Sequence, residues 1–243
     1  MLALGFFVTA LLYASVGFGG GSTYSALLAL AGFDFRLLPI VSLACNIVVV
    51  TGSTIRFARA GLVPWRRALA LAFVAAPLAF LGGLTPIREA TFLLLLGLSL
   101  VLAGMALLIP RAPEIEAQPT AAARWMGLAA APLGYLAGLV GIGGGIFLAP
   151  LLHLARWDRA RRIAATASLF ILVNSITGLA GQLAKNGPER FAEALGGALP
   201  LVLAVVVGGQ IGSLLAQRLL PEKVIRWLTA ALTVWAGSQL LLR

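Results

Sequence analysis

The chain has 243 residues, 60% hydrophobic and 11% charged, with a mean hydropathy of +1.01. That composition excludes a soluble globular domain and predicts an all-α polytopic membrane protein. The formal net charge of +10 does not call for nucleic acid, because Lys and Arg sit in short loops between apolar stretches, where positive-inside topology accounts for them.

The first apolar stretch, 2–32, has no basic n-region and stays apolar past any cleavage site. No secretory leader is expected, and Met1 is expected close to the mature terminus. The stretch is about 31 residues long, ~46 Å as a helix, too long for one straight span of a ~30 Å hydrocarbon core. In its middle stands Val16-Gly17-Phe18-Gly19-Gly20-Gly21-Ser22, a run that interrupts a helix. Stretches of spanning length follow at 37–57, 66–86 and 90–109. Pro110 to Ala123 is polar, with Glu114, Glu116 and three prolines. It reads as a linker, 111–123, between a first transmembrane repeat at 1–110 and a second at 124–243. Within the second, 124–155 carries Val140-Gly141-Ile142-Gly143-Gly144-Gly145, and 161–184, 191–217 and 222–242 are again long enough to span.

The two halves agree beyond glycine. An offset of 124 takes Gly17 to Gly141 and Phe33-Asp34 onto Trp157-Asp158. An offset of 126 takes Ser42-Leu43 and Thr51-Gly52 onto Ser168-Leu169 and Thr177-Gly178, a small drift that suits a loop insertion. The 18 Lys and Arg then test orientation. If 124–155 crosses once, they divide nine against nine; if it enters and returns, thirteen, from Arg56 to Arg226, share one side against Arg36, Arg88, Lys185, Arg190 and Arg243. The biased arrangement is preferred, which leaves three full crossings per half. An odd number makes the repeats inverted. The expected fold is therefore two inverted-topology repeats, each a broken-helix hairpin plus three transmembrane helices, with 2–32 assigned as a hairpin by analogy with its partner copy.

Non-helical backbone at membrane depth is tolerated where it is buried in protein or lines a cavity, so a paired interruption predicts a transport site. A short helix starts after each glycine run, and its first N–H groups carry the positive end of the helix dipole into the bilayer. Glycine at Gly19, Gly20, Gly21, Gly143, Gly144 and Gly145 permits positive φ and converging N–H groups, a nest for an anion. The predicted spans hold hardly any ionisable residue, which favours backbone and hydroxyl donors over fixed charges. The competing structural reading is that glycine only allows close helix packing.

Polar candidates for the same cavity are Ser22, Thr23, Ser42, Asn46, Thr51, Ser168, Asn174, Thr177, Gln182 and Gln210. Each serine or threonine competes with a bond to its own helix, one turn back, or with interhelical glue. Asn46 and Asn174 rank highest, because an amide in hydrocarbon must find a partner. His153 lacks a ligand partner at metal spacing and reads as an interfacial residue. Asp34 and Asp158 are expected at loop ends beside Arg36 and Arg159, the lone Cys45 as packing, and the five tryptophans as an interfacial belt rather than stacking platforms. No P-loop, HExxH, paired carboxylates or Ser-His-Asp set is visible, so neither an enzyme nor a cofactor is expected.

The run Val16 to Ser22 followed by Ser42-Leu43, and Gly141 to Gly145 followed by Ala167-Ser168-Leu169, resemble the TauE/SafE sulfite exporter family over nearly the whole chain. The resemblance implies a multi-pass transporter of the prokaryotic cytoplasmic (inner) membrane. Its substrate would be a small sulfur oxyanion or sulfonate such as sulfite, sulfoacetate or thiosulfate, usually moved outward. The expected partners are that substrate and the lipid bilayer, with no nucleic acid. A passive anion channel and a non-transporting membrane docking partner are the alternatives.

Overall fold

The computed structural model describes residues 1–15, 17–109, 125–215 and 222–242, all helix and connecting turns. In chain order the helices are α1 (Leu2–Ser15), α2 (Gly21–Leu30), α3 (Leu38–Arg59), α4 (Trp65–Leu84), α5 (Glu89–Leu108), α6 (Met126–Val140), α7 (Gly145–Leu154), α8 (Ala160–Leu215) and α9 (Glu222–Leu241). The linker at 111–123 lies outside the described residues.

Proline sets several of the ends. Pro39 occupies the first turn of α3, where no N–H partner is needed. Thr85 and Ile109 each precede a proline and turn to extended backbone (ψ 124° in both), which stops α4 and α5. In α8 the break falls at Gly187 (φ 80°, ψ 164°), just before Pro188. Four described helices are long and apolar enough to cross a membrane: α3, α4, α5 and the 53 residues Ala160–Gly212 of α8. The last is two lengths in series, 160–186 and 188–215, each ~40 Å. The loop expected between 184 and 191 is thus a single residue, Gly187, joining two separate helices, because positive φ at a glycine reverses the chain without unwinding its neighbours.

Both glycine segments fold back on themselves. Phe6 of α1 stacks on Tyr24 of α2 with ring centroids 4.7 Å apart. A Cβ on Gly5 would meet Leu27 at 3.2 Å, and one on Gly20 would meet Thr9 at 3.1 Å. In the second copy a Cβ on Gly144 would lie 3.2 Å from Leu133 O and from Ala137 Cβ. Thr9 and Leu133 correspond at the offset of 124, so both hairpins close in the same register.

The long helices pack through small residues. Gly134 and Gly138 of α6 lie against the backbone of Ala75 and Ala79 of α4, and Gly208 and Gly212 of α8 lie against Phe7 and Leu11 of α1. Lipid tails are as apolar as leucine, so association rests on close backbone approach, and a side chain at these glycines would block it. Gly97 meets Gly237 and Leu241 while Gly104 meets Ala230 and Val234, so α5 and α9 run in opposite directions. So do α3 and the first part of α8, where Leu43 touches Gly178 and Phe57 packs by Ala165.

The outer surface is apolar, with Leu4, Phe73, Leu94, Leu102, Met105 and Leu203 exposed, as lipid contact requires. Trp65, Trp125, Trp227 and Trp235 are exposed too, whereas Trp157 departs from the expected belt: it is buried, and the Arg67 guanidinium stacks 3.9 Å from its ring centroid. Arg67 also donates to Trp157 O at 2.9 Å and to Asp158 Oδ2 at 3.3 Å, tying α4 to the turn before α8. Asp34 Oδ1 and Asp158 Oδ1 accept from the N–H groups of Arg36 and Arg159, at the loop ends.

Candidate functional site

Asn46 lies in the inner part of α3, fully buried. Its Oδ1 accepts from the Gly21 N–H at 2.8 Å, the first residue of α2. Gly19 and Gly21 press on the carboxamide so closely that a Cβ on either would overlap it. From the other hairpin, a Cβ on Gly143 would stand 2.8 Å from Asn46 Nδ2 and 3.1 Å from Ser175 Oγ. One side chain is therefore wedged between the two glycine runs.

The backbone requires glycine on both sides of this wedge. Gly20 caps α2 at φ 83° and Gly144 caps α7 at φ 78°, both left-handed. The first N–H groups of each helix have no partner within it. At α2 Asn46 supplies an acceptor from a neighbouring helix; at α7 the matching first residue, Gly145, faces Ile171 instead. The two copies are thus unequal: one helix start carries an amide and the other is bordered by an aliphatic side chain.

The first members of the hairpins run deep. Gly17 lies by Phe57 and Ala164, near the end of α3 and the start of α8, whereas Gly141 lies by Pro39 at the opposite end of α3. The chain then doubles back, and the glycine runs overlap at the level of Asn46. Ser168 Oγ donates to Gly17 O at 2.6 Å and fixes the first turn to α8.

Among the described residues, six buried side-chain atoms of α2, α3 and the first part of α8 have no hydrogen-bond partner: Tyr24 OH, Asn46 Nδ2, Thr54 Oγ1, Asn174 Nδ2 and Oδ1, and Ser175 Oγ. Leaving such groups unpaired in an apolar interior costs about 1–3 kcal/mol each, a cost that a hydrogen-bonding ligand or water would remove. Asn46 Nδ2, Ser175, Tyr24 and the start of α7 all offer hydrogens. An anion suits them better than a cation.

The remaining candidates divide plainly. Ser22 is buried in the first turn of α2. Thr23 pairs with Tyr13 OH at 2.8 Å, and that hydroxyl also meets Thr233 of α9 at 2.6 Å. Ser42 pairs with Ser25 at 2.7 Å. Thr51 and Thr177 donate to Ile47 O and Val173 O in their own helices, at 2.6 and 3.0 Å. Gln182 donates to Gly138 O at 3.0 Å, and Gln210 accepts from Arg56 at 3.4 Å. Ser175 and Tyr24 are additions. Each stands next to a candidate in sequence; Tyr24 lies one turn from Gly20 of its own helix, whereas helical spacing alone could not bring Ser175 to Gly143 of another segment.

The family model for the sulfite exporter TauE/SafE matches residues 1–240. A "Probable membrane transporter protein y4hK" of Sinorhizobium fredii (strain NBRC 101917 / NGR234) is 33% identical over 254 residues, covering 99% of this chain and 97% of that protein. No solved structure matches the chain significantly.

Proposed function

The chain belongs to the sulfite exporter TauE/SafE family and is a multi-pass membrane transporter by kinship, and from that premise we propose that it carries a small sulfur-containing anion across the prokaryotic inner membrane. The oxyanion is held between the two glycine runs. The observation that carries this reading is Asn46, with its carbonyl committed to Gly21 and its NH2 unpaired against Gly143. Around it stand hydrogen donors without any fixed charge, so a sulfonate or sulfite can be bound by several neutral hydrogen bonds and released again.

The two halves are inverted repeats, and their rocking alternately opens the site to either side. Two contacts support the inversion: α5 against α9, and α3 against the first part of α8, are each a helix and its repeat counterpart running in opposite directions. The exchange of pairs is also consistent, since α4 with α6 and the last part of α8 with α1 use the same glycine spacing of four residues.

Proteoliposomes loaded with sulfite or sulfoacetate test the reading. Saturable efflux that a second sulfur anion competes for is the expected result. Efflux no faster than from empty vesicles for every sulfur oxyanion and sulfonate tried refutes it, and unsaturable conductance assigns a channel.

A further inference from the structure

A cavity of about 200 Å³ opens between the ends of α5 and α7 and the start of α9, lined by Leu107, Leu154, His153, Arg156, Arg226 and Phe18 among others. It lies on the side to which the charge distribution assigns thirteen of the 18 basic residues. Among the described residues on its wall the ionisable ones are His153, Arg156 and Arg226, and none is acidic. The Nε of Arg226 is buried without a hydrogen-bond partner.

Arg156 is the unusual member. It has φ 48°, and among the described residues it is the one non-glycine with positive φ. The two copies share the same helix ending here. Gly32 N–H donates to Ala29 O and Phe33 N–H to Leu28 O; Arg156 N–H donates to His153 O and Trp157 N–H to Leu152 O, at 3.0 to 3.1 Å throughout. Every pair is related by the offset of 124, and Gly32 takes φ 79°. The backbone alone completes the cap, and glycine completes it without strain. The second copy nevertheless holds an arginine in a conformation that disfavours side chains, and strain kept at one site points to a use for the group that bears it.

We propose that this cavity is a second anion site, in which Arg156 and Arg226 grip one sulfonate-, sulfate- or phosphate-type oxyanion while Leu107 and Leu154 cover its apolar attachment. Guanidinium groups match such oxyanions in a planar, paired fashion. Phe18 belongs to the first glycine run and is followed by Gly19, which presses on Asn46. Phe18 thus ties the wall of this cavity to the glycine site one residue away, which makes the cavity the waiting position on the basic face. That role rests on the transport reading; the anion site itself does not. A free organic anion and the headgroup of an anionic lipid present the same chemistry to these residues.

The test compares full-length wild type with Arg156→Gly and Arg226→Gln, each purified and checked by thermal unfolding. Arg156→Gly copies the first repeat and relieves strain, so it is expected to unfold no lower than wild type. The probes are radiolabelled sulfoacetate by equilibrium dialysis and phosphatidylglycerol, against phosphatidylcholine, by native mass spectrometry. Both variants are expected to weaken at least one probe by about tenfold or more, the scale of a lost charge-assisted contact. Loss of sulfoacetate assigns a vestibule, and loss of phosphatidylglycerol alone assigns a lipid site; both support an oxyanion cavity. Unchanged binding of both probes in two folded variants, or no binding of either to wild type, overturns it. If Asn46→Leu leaves flux intact while Arg156→Gly loses binding, the glycine-site reading fails and the cavity stands.

Discussion

Replacing Asn46 by leucine separates binding from folding at the centre of the molecule. The side chains share one branched four-atom shape, but leucine's two methyls are bulkier than the amide's oxygen and NH2, so the tightly apposed glycine runs must give slightly. Two opposing changes act on stability. Gly21 N–H loses the acceptor it holds at 2.8 Å, a cost of about 1–3 kcal/mol for a buried donor left unmade. The unpaired Nδ2 disappears with the mutation, which returns a similar amount. The two nearly cancel, and overpacking leaves a net cost of about 1–3 kcal/mol in the ligand-free protein, a fall of several degrees in Tm for a chain of this size. The bound state has no such compensation. A hydrogen bond to a charged group contributes about 1.5–3 kcal/mol, so losing the donor weakens anion affinity about 10- to 150-fold at 1.36 kcal/mol per decade. Titration of purified wild type and Asn46→Leu with sulfite and sulfoacetate, beside thermal unfolding and vesicle efflux, reads both quantities. A variant that unfolds like wild type and binds with unchanged affinity refutes the assignment of the site to this amide.

Thr51→Val and Thr177→Val are expected to leave flux within about twofold of wild type, because each hydroxyl is already committed to the carbonyl one turn back. Ser168→Ala removes the bond to Gly17 O and is expected to cost about 1–3 kcal/mol in unfolding free energy, measured as a fall in Tm; an unchanged Tm refutes that anchoring role. Gly144→Ala puts a methyl 3.0 Å from Phe170 at φ 78°, and with about 1–2 kcal/mol of left-handed strain it is expected to lower Tm and anion binding together. In a Cys45→Ala background, Arg36→Cys and Arg161→Cys mark equivalent turns of the two repeats, both exposed; an impermeant thiol reagent added outside intact cells is expected to label one and spare the other. Labelling of both from one side contradicts the inversion.

The sequence by itself determined the membrane class, the matched glycine runs and the family, and it favoured a hairpin at 124–155; the hairpin at 2–32 it reached only by analogy, and the tertiary structure decided it. All but that last follow from quantities that run along the chain: hydropathy over about 20 residues, the offset of 124 between glycine runs, the count of basic residues per loop. It also ranked Asn46 above the hydroxyl residues, since an amide has both donors and an acceptor to satisfy, more than the single bond one turn back that Thr51 makes. What it could not determine is which side chains share a point in space when they come from different elements. Asn46 touching Gly21 and Gly143, Ser175 facing the same glycine, and Trp157 lying under Arg67 all depend on how closely the helices approach. That approach is fixed by backbone contacts at Gly134, Gly138, Gly208 and Gly212, which a hydropathy pattern treats as ordinary apolar positions. The inequality of the two glycine runs is of the same kind. Composition makes them twins, and only the packing of α3 and α8 gives one an asparagine and the other an isoleucine.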